Sequence, residues 1–150
     1  MRASARSSVS ELKQQLLQRL ADRFQAYADL GQMLDQSNLT EKVDVAAHKS
    51  LAEHLWCLVG ARESYAAALN AGQWQGFACS MQSFDSEDFQ NKLETSAAQL
   101  QAAVAAVDPW TAAHNELLLK VYEHEVMHEG QIIRHVYAMG GSLPASWVWA

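Results

Sequence analysis

Four stretches of this chain repeat apolar residues every three or four positions, and only 7 Gly and 2 Pro interrupt its 150 residues. That spacing builds one apolar face on an α-helix, and so few breakers exclude an all-β chain full of tight turns. The first stretch runs from about Val9 to Leu34, with Leu12, Leu16, Leu20, Phe24, Tyr27 and Gly31 in its seam. The second runs from about Ala46 to Asn70, with Leu51, Leu55, Leu58, Arg62, Tyr65 and Leu69 in register. The third begins near Ser86, read as an N-cap among Asp85, Glu87 and Asp88, which favour the positive end of a helix. The fourth starts after Asp108-Pro109-Trp110 and extends to about Met139, where Gly140-Gly141 stops it.

Four long amphipathic helices predict an all-α four-helix bundle, with the short tail Ser142 to Ala150 packing back on it through its tryptophans. Nothing marks a second domain, so residues 1–150 read as one unit, with Met1 to Ser8 as a short frayed lead-in. A loop from Ala71 to Phe84 separates the second and third helices, and its segment Gln73 to Phe77 is expected to cover one end of the bundle. The net charge of −6 argues against nucleic acid or an anionic membrane as partner, since both need a basic face. No apolar run is long enough for a transmembrane helix. Cys57 and Cys79 lack CxxC spacing and fit free thiols in a reducing, cytoplasmic setting.

Chemistry concentrates on the fourth helix, where His124 and His128 stand four residues apart. Residues at i and i+4 share a helix face, so two neutral imidazoles there can converge on one divalent ion. Leu117, Val121, His124, His128, Gln131, His135 and Met139 recur at spacings of three or four, which predicts that the histidines look inward. Glu125 reads most simply as a carboxylate that is solvated or bonded to a ligating imidazole, and His48, His114 and His135 as core-edge or surface residues. Arg62 lies on the second-helix seam, where it would pair with Glu63 or a core carboxylate, or hold an anionic substrate.

His124-Glu125-Val126-Met127-His128 also spells HExxH, the helix motif of zinc peptidases. The rest of the chain disagrees with that reading. No Asp or Glu follows Glu129, Arg134 stands where a third histidine would fall, and no strand-like stretch offers a substrate-binding edge. The pattern instead resembles the DinB-like family of four-helix proteins. The likeness is carried by His124-x3-His128-x-Gly130-Gln131, by Leu55-Trp56-Cys57-Leu58-Val59-Gly60-Ala61-Arg62-Glu63, and by the closing Leu143-Pro144-x-Ser146-Trp147.

The resemblance implies a Zn²⁺ or Ni²⁺ ion held by two residues of the last helix and one of the second, a small-molecule substrate such as a low-molecular-weight thiol, and a homodimer. Thiol-dependent S-transfer and metal-dependent hydrolysis are the activities it suggests. Where the family has a second-helix histidine this chain has Cys57, so the implied metal set is His124, His128 and Cys57, with His54 as the alternative third ligand. With Leu51 at zero, His54 falls at about 300° and Cys57 at about 240° on the helical wheel, the latter at the margin of the apolar arc. No residue is assigned as catalytic acid or base. The competing readings are a member that has lost its metal and a non-catalytic, stress-associated bundle whose histidines are core hydrogen-bonders.

Overall fold

A computed structural model describes the backbone of residues 2–150 and the side chains from Ser8 onward. Of the frayed lead-in expected over Met1 to Ser8, Met1 lies outside the described residues and the backbone from Arg2 onward is helical, so the first helix starts earlier than Val9. Four helices make up the fold, α1 (Arg2–Gln32), α2 (Leu51–Ala71), α3 (Ser86–Ala106) and α4 (Ala112–Ala138), with no strand among the described residues. The expected four-helix bundle is therefore the observed architecture. None of the described helices is long and apolar enough to cross a membrane.

Helix α1 packs against α3 and α4, and α2 does the same, so α1 faces α2 across a diagonal and α3 faces α4 across the other. The α1–α2 connection crosses one end of the bundle and seats Leu39 in the core, where its carbonyl accepts from the Ala52 amide at 2.9 Å. That connection is longer than periodicity suggested. Helix α2 starts at Leu51 rather than Ala46, because Ser50 and Glu53 form a reciprocal capping box that satisfies two N-terminal amides. Similarly, α3 is capped by Asp85, whose carboxylate accepts from the Glu87 and Asp88 amides, and Ser86 is its first helical residue. Thr111 caps α4 with His114, whose Nδ1 accepts from the Thr111 amide at 3.0 Å, which gives His114 a structural role.

The core divides into two apolar clusters stacked along the bundle axis. One gathers Leu30, Leu55, Leu58, Phe89, Ile132 and Trp147, and the other Leu16, Leu20, Leu69, Leu100, Leu118 and Val121. Between them lies an ionic layer in which Arg62 and Glu125, both fully buried, meet through two hydrogen bonds of 2.6 and 2.9 Å. Arg62 also donates to the Leu93 carbonyl at 2.8 Å, and its guanidinium stands over the rings of Phe24 and Tyr27. The core carboxylate that Arg62 was expected to find is Glu125, so Glu125 is not the solvated group expected. The tail packs back as predicted, with Trp147 buried against Tyr27 and its indole N–H donating to the Ala26 carbonyl at 2.8 Å.

Candidate metal centre

The inward face of α4 is centred on Leu118, Val121, Glu125, His128, Glu129, Ile132 and His135. This differs from the seam expected from apolar spacing. Leu117 is only half-buried, and Gln131 and Met139 are exposed, so Gln131 does not look into the core. His128 is 1% exposed, while His124 sits half-buried at the border of the face. Across from this border runs α2, whose Cys57 is also half-buried. The marginal wheel position of Cys57 is what brings it to the histidines.

Three donor atoms converge there. His124 Nε2 lies 3.3 Å from His128 Nε2 and 3.5 Å from Cys57 Sγ, and the ligand atoms of all three residues fall within 4.8 Å of one another. The two short edges can be compared with a zinc tetrahedron. Bond lengths of about 2.0–2.1 Å to imidazole and 2.3 Å to thiolate give edges of ~3.3 Å between nitrogens and ~3.6 Å between nitrogen and sulfur. Both edges at His124 match such an ion, and the third, between Cys57 and His128, lies within 4.8 Å. Nδ1 of His124 is buried without a protein partner, and an ion on Nε2 would leave it so.

His54 does not join this corner. It is buried and approaches His128 from behind, Nδ1 to Nδ1 at 3.0 Å, with the two rings edge to face. For His128 Nε2 to offer a lone pair, its proton must sit on Nδ1 and be donated to His54, which then carries its own proton on Nε2. His54 is therefore placed to hold His128 in that tautomer. It does so from the position that the sequence left open as a third ligand.

Burial sets the charge states. Desolvation lowers His128 to about 3 and His54 to about 4, and lowers His124 in the same direction. The imidazoles are accordingly neutral at pH 7 and have lone pairs to give. The same desolvation raises the Cys57 thiol, opposed by the positive charge of Lys49. Capturing an ion must therefore displace a proton from that thiol.

Farther along α4, His135 is buried and stacks on His48, with Nδ1 of His135 and Nε2 of His48 3.0 Å apart. His135 is thus no surface residue. Its place on the inward seam of α4 is borne out, whereas the surface alternative is not. The loop segment Gln73 to Phe77 lies along the flank of α2 rather than over a bundle end. Phe77 packs on Trp56 and covers Gly60, and Trp74 packs on Tyr65.

Compared with known proteins, the chain matches no family model and no curated protein.

Proposed function

We propose that this chain is a DinB-like metal protein that holds Zn²⁺, or failing that Ni²⁺, through Cys57, His124 and His128, and acts on a small molecule by thiol-dependent S-transfer or hydrolysis. The observation that supports it is the convergence of one Sγ and two Nε2 atoms at edges of 3.5 and 3.3 Å. A thiolate with two imidazoles is a donor set that suits zinc better than harder cations. When bound, the ion supplies Lewis acidity and lowers the pKa of a water or thiol that reaches its fourth position.

The protein's own part is to orient and protect. His54 holds the His128 tautomer, the Arg62–Glu125 pair fixes α4 against α2, and burial keeps both imidazoles neutral. Cys57 and His124 are half-exposed, which leaves a side of the site open to a small molecule.

The test begins with metal analysis of tag-free protein, where about one Zn²⁺ or Ni²⁺ per chain is expected, and none in Cys57→Ser or His124→Ala. Thiol transfer to small electrophiles and hydrolysis of small esters and amides are then assayed with and without zinc. Protein that neither carries nor takes up metal, with a melting temperature unmoved by added zinc, refutes the centre. A zinc-loaded protein whose His128→Ala variant loses stability but no activity is a structural bundle instead.

A further inference from the structure

Beside the centre, a hollow of about 350 Å³ opens between the start of α2 and the middle of α4. His48, Lys49 and His54 form one wall, and Gly130, Gln131 and Arg134 the other. Every polar side chain on that lining can donate a hydrogen bond, two are fixed cations, and none is a carboxylate. Neither Lys49 nor Arg134 has a carboxylate partner among the described residues. The nearest acids along the chain are committed elsewhere. Glu53 takes the Ser50 amide and Lys42, and Glu129 faces Arg23. A protein of net charge −6 thus presents one concave donor-lined pocket with two unpaired cations.

Two backbone observations point the same way. Gly130 sits in the interior of α4, where glycine weakens a helix, yet a Cβ placed there would meet nothing within 4 Å. Packing therefore gives no reason for the missing side chain, whereas an open floor to the hollow does. On the facing wall, Ala47 takes φ = 62°, a left-handed conformation that a residue with a Cβ adopts at a cost. That turn delivers His48 and Lys49 to the hollow.

We propose that this hollow binds the oxyanion group, carboxylate or phosphate, of a small-molecule acid, with Lys49 and Arg134 as its charged contacts. That the acid is the substrate of the neighbouring centre rests on the metal reading above; the anion site itself does not. Proximity supports the link. His54 lines the hollow and touches His128.

The experiment follows backbone amide resonances of the full zinc-loaded chain during titration with inorganic phosphate, with succinate, and with sodium chloride at matched ionic strength. Saturable shifts at Lys49, His54, Gly130 and Arg134 with phosphate or succinate, absent with chloride, are expected. Whichever of the two saturates at lower concentration names the ligand class. Lys49→Met and Arg134→Met, both at exposed positions, should each weaken binding about tenfold or more, since each removes a charge-assisted contact. Gly130→Ala should raise Tm by about 2–4 °C while weakening binding, a combination that a purely structural glycine would not give. Linear shifts that chloride reproduces, or unchanged affinity in the Lys49 and Arg134 variants, overturn the proposal. Zinc content is measured on every sample. Lost anion binding with zinc retained condemns the hollow alone, and intact anion binding in protein that takes up no zinc condemns the metal centre alone.

Discussion

Replacing Glu125 by Gln keeps the shape of the side chain and removes its charge, which leaves the Arg62 guanidinium buried at 0% exposure without a counter-ion. The cost can be built from the contacts. Two charge-assisted hydrogen bonds, at 2.6 and 2.9 Å, are lost or weakened, and each is worth about 1.5–3 kcal/mol. The Leu93 carbonyl and the ring faces of Phe24 and Tyr27 remain and retain part of the stabilisation. The net loss should be about 3–5 kcal/mol, as for other buried pairs broken from one side. Against a total stability of about 5–15 kcal/mol, that is a large fraction. Urea unfolding followed by far-UV circular dichroism measures it, with a Tm lower by about 6–20 °C as a second reading. The double variant Arg62→Met/Glu125→Leu removes both charges and refills the space. It should fall within about 1 kcal/mol of the parent or exceed it, because the desolvation penalty of two ions disappears with them. A Glu125→Gln protein within about 1 kcal/mol of the parent, at unchanged m-value, would refute this account of the layer.

Three further predictions concern the site and its surroundings. His54→Phe should weaken zinc affinity by about 10–100-fold without removing a ligand, because the His128 tautomer loses its partner; competition with a chelator reads this out. In metal-free protein, His54 and His128 have folded pKa values of about 4 and about 3, below the ordinary 6.5. The unfolded chain then binds more protons on acidification, so their contribution is whole above about pH 6.5 and is lost as pH falls toward 4, at up to ~1.4 kcal/mol per pH unit each. Burial pushes Glu129 up to about 7, which acts with the opposite sign between about 4.5 and 7. The histidine slope is therefore read as the difference between the parent and His54→Phe, and equal slopes would contradict it. Gly60→Ala should cost about 1–3 kcal/mol, since the new methyl would meet the Phe77 ring and, at 2.9 Å, Cys79 Cβ; thermal unfolding unchanged from the parent would show that the loop gives way freely.

The helices were legible because apolar spacing of three to four dominates each of them, and Gly140 and Pro109 mark two of the boundaries. Their starts were less so. Apolar counting carried α2 back past its Ser50–Glu53 cap and began α1 short of Arg2, while for α3 the cap was placed one residue late, on Ser86 instead of Asp85. The same habit displaced the inward face of α4. Its centre is polar, with Glu125, His128, Glu129 and His135 buried, so a rule that scores only aliphatic residues shifts the face toward Leu117 and Met139. Arg62 in the seam of α2 was the available clue, for a buried guanidinium requires a carboxylate opposite, and Glu125 and Glu129 on α4 were the candidates. Of the site, His124 and His128 followed from helix geometry, and Cys57 from a family register rather than from the wheel. That His54 stands behind His128 depends on the rotation of two helices, which one-dimensional spacing does not carry.

The division of the core by Arg62 and Glu125 also bears on how the molecule tolerates change. Aliphatic truncations far from the ionic plane on its opposite sides, such as at Leu16 and Leu30, should have penalties that simply add. The half built on Leu16, Leu100 and Leu118 then acts as ballast. Changes in its composition are expected to tell first on overall stability, while Cys57 and His128 stand at the level of the other half.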